Sequence, residues 1–193
     1  MKKLILVFAF ITLSTTVFSQ VTIRPGVRAG ANISNFTNTE HDSKTDLYIG
    51  AFAAIKLADF YTLQPEINYS RQGAKSKFSS HKYEINYVGI TLANKFSPFK
   101  EIGLNFILGP SINIKVSDNF NDYYDDLESF DFLLFGGLGY EFPFGLGIEA
   151  RYNIGLIDIF GGNVNAEYEE DTNIDNLILN KVFQIGATYK FDF

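Results

Sequence analysis

Residues 182–193 read VFQIGATYKFDF, and the two faces of this stretch differ in character. Phe183, Ile185, Tyr189, Phe191 and Phe193 fall on one face, together with an alanine, and mostly polar or small side chains fall on the other. Such alternation predicts a β-strand. Chain ends usually fray in water, so two phenylalanines within the last three residues are unexpected in a soluble domain. We therefore interpret this stretch as the closing strand of a barrel with an apolar exterior.

The same alternation recurs along the chain at intervals of roughly twenty residues. It predicts eight strands, at 21–35, 47–58, 61–72, 83–96, 102–116, 130–142, 145–156 and 180–193. In LGIEARYNIGL (146–156), for example, apolar side chains occupy every even position. The alternation slips near Tyr87–Val88, which predicts a bulge there.

Short and long connections alternate between these strands. The predicted short ones are 59–60, 97–101 and 143–144, and the long polar ones are 36–46, 73–82, 117–129 and 157–179. An even number of strands with all long loops at one end is typical of outer-membrane barrels, whose short turns face the periplasm. The predicted fold is an all-β, eight-stranded, antiparallel up-and-down transmembrane β-barrel.

A soluble lipocalin-like barrel also has eight alternating strands, with its apolar face inside. Three features favour the membrane arrangement. Ten glycines fall on the polar faces of the predicted strands, Gly103 among them, as expected for a narrow packed interior. Aromatic side chains fall on the apolar faces, many of them near strand ends: Tyr61, Tyr69, Tyr140, Phe142, Tyr152, Tyr189, Phe191 and Phe193.

The third feature is charge on the polar faces. Arg28, Glu66, Lys95, Glu149 and Arg151 occupy mid-strand positions and have opposite signs, so inside a barrel they can pair. Eight strands enclose little space once side chains are placed, which favours a packed polar interior over a narrow open pore. The pore remains the alternative.

Residues 1–19 have the features of a secretory signal peptide, with Lys2 and Lys3 ahead of an apolar segment. The barrel domain is then 20–193. Removing Lys2 and Lys3 from the 16 cationic side chains leaves 14 against 22 acidic ones, a formal net charge of −8. This balance argues against a nucleic-acid partner. The chain contains no cysteine, and hence no disulfide or thiol nucleophile.

No pattern indicates catalysis or a cofactor. The two histidines, His41 and His81, lie in predicted loops, and Ser79 and Ser80 beside His81 do not by themselves make a nucleophile–base pair. The acidic stretches 118–129 and 167–175 lack the ligand spacing and the central glycine of a calcium loop, so we interpret them as solvated loops. The predicted protein is not an enzyme and holds no metal.

Several segments resemble the porin-family outer-membrane β-barrel proteins of Bacteroidetes, a group that includes PorT-like proteins. They are GVRAGANISNF (26–36), LQPEINYSRQGAK (63–75), GLGYEF (137–142), ARYNIGL (150–156) and the terminal YKFDF. The fourth strand, NYVGITLANKF (86–96), departs from the proline-containing run expected in that group.

This resemblance implies an outer-membrane location and makes Tyr189, Phe191 and Phe193 the signal that the barrel assembly machinery reads. The expected partners are outer-membrane lipids, that machinery, and an unidentified protein at the surface or in the periplasm. The expected role is structural, surface-interacting or in assembly, through the long loops. The alternatives are a narrow porin for small solutes and an accessory component of protein secretion.

Overall fold

The computed structural model describes residues 21–39, 41–77, 82–120, 128–159 and 177–192. Its strands are β1 (Thr22–Phe36), β2 (His41–Ala58), β3 (Tyr61–Ser76), β4 (Lys82–Phe99), β5 (Leu104–Asp118), β6 (Phe130–Glu141), β7 (Leu146–Gly155) and β8 (Asn180–Lys190). Each strand pairs antiparallel with the next, and β8 pairs with β1, so the sheet is closed. The predicted fold class is confirmed. The predicted signal peptide, Phe193 and the acidic stretch 167–175 lie outside the described residues.

The connections define two ends of the barrel. The turn end carries residues 59–60, a 3-10 turn at Lys100–Ile102 and the turn at 142–145. The loop end carries the other four connections. Gly103 and Gly145 adopt φ values of 77° and 87° at the turn end, a conformation that favours glycine. Gly103 was predicted on the polar face of a strand, and this prediction is wrong because the residue belongs to the turn before β5.

Two predicted long loops are wrong, because β2 begins at His41 and β3 continues to Ser76. The connections at these positions are only 37–40 and 77–81. HDSKTD (41–46) carries no apolar alternation, so it looked like a loop in sequence. Strand pairing holds it instead, with Ser34 opposite Lys44 and Asp42 opposite Lys75. A membrane strand needs about 9–11 residues, so the 18-residue β2 and β4 extend beyond the bilayer.

The bulge predicted near Tyr87–Val88 lies on the neighbouring strand. Asn86 pairs with Ser117 and Tyr87 pairs with Lys115, which leaves Val116 of β5 as the extra residue. Pairing of β4 with β3 is continuous through this region. The alternation of β4 slips in sequence because Ile85 and Tyr87 are apolar residues that point inward.

Apolar side chains cover the outside of the barrel and mostly polar ones fill the inside. Leu47, Ile49 and Ile90 on the exterior are 56–70% exposed, whereas charged side chains of the interior are buried. No helix in the described parts of the chain is long and apolar enough to cross a membrane.

Candidate functional site in the barrel interior

Five charged side chains meet in the middle of the barrel. They are Arg28 of β1, Glu66 of β3, Lys95 of β4, and Glu149 and Arg151 of β7, the five that the sequence places on polar faces. None is more than 5% exposed. Because side chains alternate between the two faces of a strand, each lies inside once its strand turns its apolar face to the exterior. We call this group the central network.

Glu66 accepts hydrogen bonds from two arginines and a glutamine. Arg151 is bidentate, with Nη1 donating to Oε2 at 2.9 Å and Nη2 donating to Oε1 at 2.7 Å. Arg28 Nη1 also donates to Oε2, and Gln64 Nε2 donates to Oε1 at 2.7 Å. Bidentate arginine–carboxylate pairs are among the strongest charge-assisted hydrogen bonds. β3 and β7 are opposite walls of an eight-stranded barrel, so the Glu66–Arg151 pair crosses the lumen.

Glu149 makes a second link across the lumen. Arg151 Nε donates to Glu149 Oε2 at 3.0 Å and Arg151 Nη2 donates to the same oxygen at 2.7 Å, while Lys95 Nζ on β4 donates to Glu149 Oε1. Every nitrogen of the Arg151 guanidinium is therefore bonded to a carboxylate. The network holds three cations and two anions, a surplus of one positive charge.

Three inward aromatic rings support the cations. Arg28 lies over the Tyr48 ring at 4.8 Å, Arg151 over the Phe135 ring at 5.0 Å, and Lys95 lies 5.8 Å from the centre of the Phe52 ring. These distances fit cation–π contacts. These inward rings were not predicted from the sequence, because only aromatic residues on the apolar faces were expected to have a role. The available signal was position, since Tyr48 and Phe52 flank the inward Gly50 on the same face of β2.

Uncharged side chains continue the network towards the loop end. Arg28 Nη2 donates to Gln184 Oε1 at 3.4 Å, and Gln184 Nε2 donates to Asn32 Oδ1 at 2.9 Å. Asn32 Nδ2 in turn donates to Ser70 Oγ at 2.8 Å. Interior side chains of β1, β3 and β8 are thus bonded to one another.

An apolar cluster closes the loop end. Phe36, Ala74, Ile85, Tyr87 and Ile159 are each at most 5% exposed and pack together, with Tyr83, Phe120 and Ile178 against them. Beside this cluster, Lys44 Nζ lies 2.5 Å from Asp46 Oδ2 and 3.1 Å from Glu84 Oε2, and Arg71 Nη2 lies 2.7 Å from the same Glu84 oxygen. The periodicity gave no sign of this apolar cap, because its strand members fall on faces that are otherwise polar and Ile159 lies beyond the end of β7.

The turn end has an open vestibule of about 540 Å³. Ion pairs line its mouth: Lys190 Nζ lies 2.5 Å from Glu141 Oε1, and Lys56 Nζ lies 2.6 Å from Asp59 Oδ1. The central network separates the vestibule from the loop end.

Two of the three residues assigned to the assembly signal lie within the described residues. Tyr189 and Phe191 are outward at the turn end, with ring centres 5.3 Å apart in an edge-on arrangement. Phe191 N donates to Pro25 O of β1 at 2.9 Å, which fixes the chain beyond β8. Phe193 lies outside the described residues.

Of the four residues considered for catalysis, His41 is the one that lies within the described residues. His41 begins β2 and packs edge-on against Tyr83, with ring centres 5.1 Å apart. Ser79, Ser80 and His81, like most of the acidic loop 118–129, lie outside the described residues. Within the described residues no group of three or more His, Cys, Asp or Glu side chains is placed to hold a metal ion.

Residues 18–161, well over half of the chain, match the family described as outer membrane protein beta-barrel domain. The chain belongs to this family. No curated protein sequence matches it significantly. The outer-membrane barrel fold agrees with the apolar exterior and the closed sheet described above.

Solved outer-membrane barrels share the fold at low sequence identity. Neisserial surface protein A (NspA) has a TM-score of 0.54 and 14% identity, over 90% of this chain and 100% of its own. Ail, the attachment invasion locus protein of Yersinia pestis, in complex with the heparin analogue sucrose octasulfate, has a TM-score of 0.51 and 14% identity, over 88% of this chain and 99% of its own. OprG from Pseudomonas aeruginosa has a TM-score of 0.50 and 13% identity, over 90% of this chain and 98% of its own.

Proposed function

We propose that this protein is a closed, non-enzymatic outer-membrane barrel that acts at the cell surface through its loop end. The observation that carries the proposal is the Glu66–Arg151 pair, which joins opposite walls of the lumen. The lumen is then a packed support, and the interaction surface lies on the connections that extend beyond the membrane. Exposed loops on a rigid scaffold are a common place for recognition.

The central network makes an open passage costly. A water-filled path through the middle would require the Glu66–Arg151 and Lys95–Glu149 pairs, which connect different strands of the wall, to separate. The apolar cluster that contains Phe36, Ile85 and Tyr87 blocks the lumen at a second point, the loop end.

The extended hairpins provide the surface for interaction. β1–β2 and β3–β4 rise above the apolar band of the exterior, and their outer parts carry polar side chains such as Asp42, Arg71, Lys75 and Lys82. Ail, which shares the architecture, has been crystallised in complex with a heparin analogue, so a barrel of this size can bind a ligand. We propose that an unidentified protein at the cell surface binds these hairpins; a protein partner in the periplasm would instead meet the turn end.

Membrane insertion belongs to the same proposal. Outer-membrane lipids cover the apolar exterior, and the barrel assembly machinery recognises Tyr189, Phe191 and Phe193 on the last strand. Residues 1–19 direct the chain across the inner membrane and are removed. Nucleic acid is not a partner, given the formal net charge of −8 on residues 20–193.

Two alternative functions rest on other observations. A narrow porin is favoured by the 540 Å³ vestibule, which would be its periplasmic entrance, and it requires the central network to open. An accessory role in secretion rests on the resemblance to PorT-like proteins.

The test compares a deletion strain with strains that carry barrel variants. One variant has both connections 37–40 and 77–81 replaced by short Gly-Ser turns, and the matched control has the turn at 59–60 replaced. We expect the deletion and the loop-end variant to change surface adhesion alike, and the control to behave as wild type. Loss of small-solute uptake on deletion supports the porin instead, and secreted cargo retained in the periplasm supports the secretion role.

A further inference from the structure

A small polar cavity adjoins the central network on its loop-end side. Its volume is about 20 Å³, and its lining includes Arg28, Arg151, Asn68, Thr91 and Ser111. A site of about 10–15 Å³ by this measure already accommodates one water-sized particle. Of the ten lining residues only Leu133 is apolar, so the cavity suits a polar occupant.

The lining carries positive charge and no acid. Arg28 and Arg151 both contribute to it, while Glu66 and Glu149, which bind these arginines, do not. Asp131 does not line it either, and its Oδ2 accepts a hydrogen bond from Asn180 Nδ2 at 3.3 Å. The lining therefore brings two guanidinium groups and no carboxylate to this space.

One charged hydrogen-bond donor is also left over. Arg28 is 3% exposed, and its Nε has no partner among the described residues. A buried charged donor of this kind is costly to leave unpaired. Thr91 Oγ1 and Ser111 Oγ, two further polar groups of the lining, lie 2.7 Å apart and share one hydrogen bond, and Ser111 Oγ also donates to the Ile90 carbonyl oxygen at 3.4 Å.

We propose that this cavity is a binding site for a small monovalent anion of the size of chloride, held between Arg28 and Arg151. The anion supplies the charge that the three cations and two carboxylates of the network lack. A cation is disfavoured because it would face two guanidinium groups, and a polyatomic anion such as phosphate exceeds the space. This inference is independent of the proposed surface role.

The direct test is crystallisation of the refolded full barrel from sodium bromide in place of sodium chloride. We expect an anomalous bromide peak between the two guanidinium groups. Water alone at this position in a well-ordered crystal would overturn the proposal.

The solution test follows thermal unfolding in chloride and in gluconate at equal ionic strength. Between about 1 mM and about 100 mM chloride we expect the melting temperature to rise by a few degrees and then level off, since a ligand of the native state stabilises by mass action. Gluconate is too large for the site and should give no rise. Equal melting temperatures in the two salts would contradict the proposal.

A matched pair of variants locates the effect. Ser111→Asp places a fixed carboxylate in the cavity and should abolish the chloride dependence, whereas Ser111→Ala, which removes only the hydroxyl and leaves the space open, should keep it. Chloride dependence that persists in a folded Ser111→Asp barrel would place the anion elsewhere and overturn the assignment. If that variant does not fold, the bromide experiment on the unaltered barrel decides alone.

Discussion

At the scale of single residues, Glu66 is the carboxylate on which the interior depends. Its side chain is fully buried and binds Arg151, Arg28 and Gln64, which come from three different strands. Position in the alternating pattern was enough to predict that the five charged residues face inward. Their pairing was not predictable, because strand register decides which charges meet.

Replacing this carboxylate by its neutral isostere, Glu66→Gln, should destabilise the barrel strongly. It leaves Arg28 and part of Arg151 buried without a counter-charge, and we expect a loss of about 3–5 kcal/mol in the free energy of unfolding. The measurement is urea unfolding of the refolded barrel in lipid vesicles. Asp59→Asn is the control, because its pair with Lys56 is exposed and should contribute little. Equal losses in the two variants would mean that burial of the central pair has no energetic effect.

Gly186 is a residue at which an interior side chain and the neighbouring strand leave no room for a Cβ atom. A Cβ there would lie 2.3 Å from both Ala29 O and Tyr48 Oη, and Tyr48 in turn contacts Arg28. Gly186→Ala should therefore cost about 1–3 kcal/mol, as overpacking does elsewhere. Gly136→Ala is the matched control, because a Cβ at Gly136 meets no atom within 4 Å. Comparable midpoints of thermal unfolding for the two variants would argue against tight packing at this point.

At the scale of elements, the sequence located all eight strands but not their lengths. Alternation is visible only where one face meets lipid, so the polar extension 41–46 looked like a loop although it is part of β2. In β4 the alternation is interrupted for a different reason: Ile85 and Tyr87 are apolar but face inward, where they form part of the apolar cap. Both errors occur near the loop end, where the bilayer no longer imposes the pattern.

The last strand should matter for assembly more than for stability. We expect Tyr189→Ala combined with Phe191→Ser to lower the amount of folded barrel in the outer membrane severalfold, while the purified variant still refolds in detergent. Heat-modifiable migration on gels measures both quantities. Phe106→Ala, an outward phenylalanine of β5, is the control and should leave assembly near wild type. Equal assembly defects in the two variants would show that general lipid contact, and not a signal on the last strand, is responsible.

At the scale of the whole molecule, the proposed surface role requires the loop end to face outside the cell and the turn end to face the periplasm. An epitope inserted after Asn38 at the loop end should be labelled by antibody on intact cells. An epitope between Pro143 and Phe144 at the turn end should be labelled only after the outer membrane is permeabilised. Reversed labelling would place the vestibule outside the cell and contradict the proposed surface role of the extended hairpins.

In the proposed function, charge pairs that join opposite walls of the barrel close the lumen. Single-channel recording of the refolded barrel in a planar bilayer tests this closure most directly. Heat-modifiable migration first establishes that the barrel is folded. We expect no conductance steps from the unaltered protein. Steady, reproducible steps whose ion selectivity changes in Glu66→Gln or Arg151→Gln would contradict the account and show that the network lines an open pore.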